Sequence, residues 1–583
     1  MLKMAYFHAY WALFCIKVAL VTDPACGSGN FLTESYLSLR KLENQVIRAL
    51  LDSRTSSKKS EREKITKGQI AMGSEAILNP IRMSIGQFHG IEINDFAVSV
   101  ARTALWIAEN QMMKETENII HANLNFLPLK TQANIVEGNA LRMDWNDVVE
   151  KDKLNYIMGN PPFVGARMMN ADQKDDVLSI FGINWQNVGN LDYVTCWYKK
   201  TSDLMQGTTI RAALVSTNSV TQGEAVANLW KPLMESGIHI DFAHRTFQWD
   251  SEATIKAHVH CVIVGFSTAP LDKMGIIYDN GTTITANHIN GYLLDAEDVF
   301  IESNKQPISS VPAIMIGSQP IDDGNYLFDK DQMDSFIASE PASKPYFHLW
   351  YGSREFINRS PRYCLYLGNC PPNQLRKMPE CLKRIEAVRD FRLRINRAST
   401  KKAAETPSRF GMTCIPESDY IIIPKVSSER RRYIPMGFMT PDILCSDLVF
   451  LIPDATLYHF GILESNVHMA WMRTVCGRLE MRYRYSKDIV YNNFPWPTPT
   501  DAQRAKIEQT AQAILDARAL YPEASLADLY DELTMPPELR KAHQDNDRAV
   551  MAAYGIKSGD AAYKSESACV AHLMKLYQAL TAK

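Results

Sequence analysis

A chain of 583 residues with 46% hydrophobic content is long enough for roughly three or four domains with buried cores, and its formal net charge of -2 excludes a global positive field as the means of holding a polyanion. Eleven cysteines with no C-x-x-C pair exclude a disulfide framework and a structural zinc site, so no metal is expected and the compartment reads as reducing, hence cytoplasmic.

The apolar stretch Met4 to Val21 is interrupted by Lys17 and merges into the first motif, so it is not read as a cleaved leader. Val18 to Thr22 is β-branched and apolar, Asp23-Pro24-Ala25-Cys26-Gly27-Ser28-Gly29 follows, and a helical pattern then runs to about Leu51: strand, glycine turn, helix. Gly27 and Gly29 let the main chain bend and let a ligand approach it. The third glycine of the dinucleotide fingerprint is missing, because Leu32 stands there, and Asp23 at the strand tip would repel phosphate. The loop therefore suits a ligand without phosphates.

Asp52 to Gln69 is polar and charged and predicts a solvated excursion inside the domain. Ile85 to Ile93 predicts a strand ending near Glu92, where an acid either takes both ribose hydroxyls or is a plain surface residue. Asn134 to Leu141 predicts a third strand with Asn139 just after Gly138.

The apolar run Leu154 to Met158 then leads into Gly159-Asn160-Pro161-Pro162-Phe163. Prolines end the strand and fix its exit, leaving an amide, free carbonyls and a flat ring at the mouth. That set suits a planar amine, and it equally suits a strand-terminating turn with a buried Phe. Four successive strands each end in a polar residue. In an open parallel sheet Asp23, Glu92, Asn139 and Asn160 would converge on one crevice.

With these motifs in this order, the sequence resembles the S-adenosylmethionine-dependent amino-methyltransferases of DNA, and more closely the MmeI-like methyltransferases of type II restriction-modification systems. The likeness runs through Gly159 to Met169, Leu191 to Lys199, Leu214 to Gly223 and Asn492 to Pro497. It implies an α/β fold with a Rossmann-like methyltransferase sheet, then a mixed α+β target-recognition domain and a small helical C-terminal domain. It implies S-adenosyl-L-methionine as cofactor, with Asp23, Ala25, Gly27 and Gly29 at its methionine part, Glu92 and Ile93 at its ribose, and Asn139 and Ala140 at its adenine. Family members often carry Asp where Asn139 stands.

Asn160, Pro161, Pro162 and Phe163 would then hold a flipped-out base, the N6 amine of adenine, with cytosine N4 as the alternative under the same amine chemistry. Methylation at cytosine carbon would need a Cys nucleophile, and Cys370-Pro371 lies far from any cofactor motif. The implied partner is double-stranded DNA, with no membrane, and with a separate nuclease subunit or a lost N-terminal nuclease domain, since no Asp...Glu-x-Lys nuclease constellation is present. Only 22 residues precede Asp23, so the chain also reads as a truncated member, and the rival class is a catalytically weak DNA-binding remnant.

Further along, Leu191 to Tyr198 predicts a helix, Arg211 to Ser216 a strand, and Ile238 to Phe242 and His258 to Phe266 two more strands. Between these last two, Phe247 to Ala253 is an aromatic polar loop, with Phe247 and Trp249 as candidates to close over the target base or to fill a core. Residues 1–298 are expected to form the catalytic domain, 299–497 the recognition domain and 498–583 the helical one. In the second, Arg430, Arg431 and Arg432 suit phosphates or a solvated face. Alternation in Gly477 to Tyr485 predicts one strand with Arg478, Glu480, Arg482 and Arg484 on one face, either a base reader or a salt-bridged surface.

Overall fold

The computed structural model describes residues 19–57, 80–122, 124, 133–249, 259–269 and 274–582. They fall into two compact units, Met1–Thr221 with Ala225–Asp298, and Gln222–Glu224 with Val299–Lys583.

The first unit is built on a nine-stranded sheet. Its strands β1 (Val21–Asp23), β2 (Phe88–Glu92), β3 (Asn134–Glu137), β4 (Tyr156–Gly159) and β5 (Arg211–Thr217) lie in the order β3-β2-β1-β4-β5 and are all parallel. β7 (Val259–Ser267) runs antiparallel between β5 and β6 (His239–Trp249), and β8 (Gly275–Asp279) and β9 (Thr282–Ala286) complete the edge. Strands covered on both faces need apolar residues throughout, and Val21, Phe88, Ile91, Ile135 and Ile157 are all buried.

Helices α1 (Asn30–Ser57) and α2 (Asp95–Ile120) follow β1 and β2. Val98, Ala101, Leu105, Ala108 and Met112 recur at helical spacing on the buried side of α2 and meet Leu32 and Tyr36 of α1 over Phe88. Asn94 caps α2 by accepting from the Ala97 N–H at 3.0 Å. After β1 the chain goes to β2 on one side, and later to β4 on the other. The strand order reverses there, and a crevice opens beyond the carboxyl ends of β1 and β4.

Several boundaries differ from expectation. The helix after the first glycine turn passes Leu51 and continues to Ser57, so Asp52 to Ser57 is helix and not loop. The rest of that expected excursion to Gln69 lies outside the described residues. Leu191 to Val194 precedes the helix expected there, which begins only at Thr195 and runs to Met205. Phe247 to Trp249 extends β6 and pairs with β7, so these two aromatics sit on a strand; residues 250–253 of the expected loop lie outside the described residues.

The second unit holds two four-stranded sheets and one three-stranded sheet. In the first, β10 (Tyr420–Pro424) is central, and its run Tyr420 to Ile423 is fully buried. The chain entering this unit is stitched to the chain leaving the strand-rich stretch. Asn493 donates to the Glu302 carbonyl at 2.9 Å, and the Ile308 N–H donates to the Asn492 carbonyl at 2.8 Å.

The helix Asp501–Ala519 buries Ile507, Ala511 and Ile514 on one stripe and packs on Pro537–Ala553. Half-buried Arg518 donates to Glu464 and to the Met436 carbonyl, and Tyr433 donates to Asp547. Such contacts tie the strands before 497 to the helices after it within this unit. Among the described residues no helix is long and apolar enough to cross a membrane.

The expected strand Gly477 to Tyr485 is a hairpin. β11 (Gly477–Leu479) turns at Glu480 and Met481 into β12 (Arg482–Arg484), with Arg478 opposite Tyr483 and Leu479 opposite Arg482. Glu480 has φ +58°, a left-handed conformation that reverses the chain. The four charged residues therefore do not share a face: directly opposed residues point the same way, so Arg478 goes with buried Tyr483, and Arg482 and Arg484 go to the other side. Alternating sequence cannot distinguish one strand from two short ones when the turn is not made of glycine.

Candidate active site

The crevice of the first unit is a cavity of about 600 Å³, and the ends of β1, β2, β3 and β4 all reach it, through Pro24 and Ala25, Glu92 and Ile93, Gly138 to Ala140, and Asn160. The four motifs read from sequence are thus brought together.

At β1, Asp23 is 1% exposed and its Oδ1 accepts from the Ala25 N–H at 3.0 Å. Burial pushes its carboxyl up to about 7; the Ala25 N–H opposes the rise and the Glu92 charge adds to it. Gly27 and Gly29 have φ of +54° and +81°, and a side chain on Gly29 would press to 2.9 Å from Ala101 of α2. Glu92 fixes this turn to β2: its Oε2 accepts from the Gly27 N–H at 2.9 Å and its Oε1 from the Asn94 N–H at 3.0 Å. Ile93, beside it, is 67% exposed and lines the cavity.

At β3, the Asn139 Oδ1 accepts from the Leu141 N–H at 2.9 Å, and its Nδ2 donates to Asp176 at 3.3 Å. Ala140 is held from behind. Its carbonyl accepts from Trp145 Nε1 at 2.8 Å and from Lys200 Nζ at 2.7 Å, and Lys200 also reaches the carbonyls of Leu141 and Met143.

At β4, the Asn160 Oδ1 is buried and, among the described residues, no donor reaches it. Pro161 is buried, Pro162 lines the cavity, and Phe163 is half-buried and outside the lining. The exit loop is tied down by Asp192, which accepts from the Ala166 N–H at 2.9 Å on one oxygen and from the Ser219 hydroxyl at 2.6 Å on the other. Trp197 donates to the Pro24 carbonyl at 3.1 Å, joining the β1 turn to the helix Thr195–Met205.

Sequence reading missed Asp176, Asp192, Tyr193, Trp197 and Lys200. All five lie on helices or loops that reach the crevice only through tertiary packing. Leu191 to Lys199 carried a signal as a block of family likeness, without roles for its members.

The residues expected at DNA lie elsewhere and in more than one place. In the first unit, Phe247 packs edge-on against His244 with ring centroids 4.7 Å apart. In the second unit, Arg430, Arg431 and Arg432 line a cavity of about 420 Å³ together with Lys564 and Glu566. Arg473 is committed there to Glu566 and to the Arg432 carbonyl. At the hairpin, Arg478 stacks over Tyr483 at 4.5 Å, Arg482 pairs with Glu480 at 2.9 Å, and Arg484 is exposed. Among the described residues no His, Cys, Asp and Glu cluster suits a metal.

Comparison with known proteins follows this division of the chain. Family models described as MmeI, DNA-methyltransferase domain, MmeI, target recognition domain, and MmeI, C-terminal domain match residues 14–279, 295–498 and 499–583. The chain is 38% identical over 562 residues to DNA methyltransferase A of Bacillus subtilis (strain 168), covering 96% of this chain and 61% of that protein, so it spans about three fifths of that relative's length. It is also similar to the solved structure of the Type IIL restriction-modification enzyme MmeI in complex with DNA, with 41% identity and a TM-score of 0.86 over 100% of this chain and 77% of that one.

Proposed function

This chain belongs to the MmeI family, and on that premise we propose that it transfers a methyl group from S-adenosylmethionine to the N6 amine of an adenine flipped out of double-stranded DNA, as the modification activity of a restriction-modification system in the cytoplasm. The observation that carries the reading is the buried Asn160 Oδ1, an acceptor with no donor among the described residues, at the crevice where the strand order reverses. Leaving such an oxygen unpaired costs about 1–3 kcal/mol, a cost that an incoming amine removes.

The crevice fits the cofactor. It offers the Glu92 carboxylate at the end of β2, suited to ribose hydroxyls, with Pro24 and Ala25 beside buried Asp23 at the end of β1, and a glycine turn without the charge that phosphates need. Asp23 and the Gly27 to Gly29 turn would hold the amino-acid part, Glu92 the ribose, and Ile93 with Gly138 to Ala140 the purine. When bound, the cofactor supplies a methyl group on a positively charged sulfur.

The chain's residues do the rest by positioning. An adenine amine is a poor nucleophile because its lone pair is delocalised into the ring. Accepting its two hydrogens at Asn160 Oδ1 and at the Pro161 carbonyl favours the pyramidal geometry in which that lone pair is available. The prolines keep both acceptors pointing one way, and Asp192 fixes the loop that follows. Extruding the base costs a few kcal/mol, and stacking on Phe163 returns about 1–3 kcal/mol. In the second unit, the Glu480 and Arg482 hairpin supplies an acceptor and a donor for base edges, and Arg430 to Arg432 supply charge for phosphates.

Incubation with S-adenosylmethionine and unmethylated DNA, followed by nucleoside analysis, tests the reading. N6-methyladenine is the expected product; N4-methylcytosine would overturn the choice of base, and no methylation would favour a DNA-binding remnant.

A further inference from the structure

We infer that Asp176, on the helix Ala171–Phe181 that follows the Asn160 turn, accepts the purine amino group of the bound methyl donor, a role that the family resemblance implies for Asn139; this rests on the crevice being the cofactor site.

The order β3-β2-β1 sets where each part of a nucleoside lies. With the ribose hydroxyls on Glu92 at the end of β2, the base extends toward the end of β3, against exposed Ile93 and the Gly138 to Ala140 turn. A purine 6-amino group can only donate, so that end of the crevice must offer an acceptor.

Asn139 is the weaker candidate for that acceptor. Its neutral amide oxygen already takes the Leu141 N–H and keeps one lone pair, and its nitrogen donates to Asp176, which fixes the amide in that orientation. Asn170 and Gln173, which also line the cavity, are bound to one another's backbone N–H groups in a capping box, and Asp172 is exposed.

Asp176 differs from all of these. It is 3% exposed, lines the cavity, and gathers three donors: Arg142 Nε at 2.6 Å on Oδ1, and Tyr193 OH at 2.8 Å with Asn139 Nδ2 at 3.3 Å on Oδ2. Burial works to raise its carboxyl, and the three donors outweigh that effect and hold it below the usual carboxylate value. The group is therefore an acceptor only at neutral pH. An ionised carboxylate has about four acceptor sites, so three donors leave one, on Oδ1. The missing acid of the third motif is thus replaced from a helix more than thirty residues downstream, with Asn139 as its orienting partner.

The test is calorimetric titration of the chain with S-adenosylhomocysteine and with S-inosylhomocysteine, in which a carbonyl replaces the amine. The wild type is expected to prefer the amine by about 10- to 100-fold, the range of a hydrogen bond to a charged group. Asp176→Asn, whose amide can donate to the carbonyl, is expected to bring the two ligands within about threefold, whereas Asn139→Ala weakens both and keeps the preference. Parallel loss of both ligands in Asp176→Asn with the preference intact, or loss of the preference in Asn139→Ala alone, would overturn the inference. Failure of the folded wild type to bind either ligand would overturn the cofactor reading itself, and the inference with it.

Discussion

A methyl group added to Gly159 would lie 2.6 Å from the Asp23 Oδ1, so the last residue of β4 is small because the last carboxylate of β1 occupies the space beside it. The two ends of the crevice's switch point are packed directly against each other. Gly159→Ala is expected to cost about 1–3 kcal/mol of stability through overpacking, and to weaken S-adenosylhomocysteine binding by displacing Asp23. Thermal melting and titration together check this; an unchanged affinity would show that Asp23 is not a ligand-holding group.

Asp23 also sets a pH dependence. Its ordinary value is 3.8 and its folded value about 7, so between these pH values the folded chain holds a proton that the unfolded chain has released. Stability without ligand is therefore expected to decline as pH rises across that window. Ligand affinity is expected to run the other way if Asp23 holds the ammonium of the ligand, since only its ionised form attracts that charge. Affinity should rise about tenfold from pH 6 to pH 8, and Asp23→Asn should flatten that slope.

Asp192 acts through the loop after Phe163 rather than on a ligand. Its two oxygens join the Ala166 N–H to the Ser219 hydroxyl. Asp192→Ala should lower the rate of DNA methylation by about 10- to 100-fold while S-adenosylhomocysteine affinity stays within about threefold, a split that general destabilisation would not produce.

At the hairpin of the second unit, Glu480 holds a left-handed φ that glycine adopts more easily. Glu480→Gly is expected to raise the melting temperature, since a strained residue of this kind costs about 1–3 kcal/mol, and at the same time to relax base preference at one position of the recognised sequence. Methylation mapped on a randomised DNA library reads the second effect. Greater stability with unaltered preference would leave the hairpin with a structural role only.

The crevice was legible because β1 to β4 are short runs with apolar residues at their buried positions, each closing on a polar residue, a glycine or a proline. Asp23, Glu92, Asn139 and Asn160 could be placed on that basis alone. Asp176 and Asp192 could not, because an acid on a helix or loop carries no mark of the partner it will meet; only packing put Asp176 beside Asn139, and Asp192 beside Ala166. Arg478 to Arg484 misled for a local reason: a turn at Glu480 preserves the alternation of a continuous strand while dividing its faces between two.

The central claim is that the unpartnered Asn160 oxygen receives the target amine. Single-turnover methylation by Asn160→Ala, with S-adenosylhomocysteine affinity measured on the same sample, tests it most directly. The expected result is loss of N6-methyladenine formation by about 100-fold or more, as when one positioned polar group is removed from a reacting centre, with affinity for the cofactor product retained. Methyl transfer at the wild-type rate by that variant would contradict the claim.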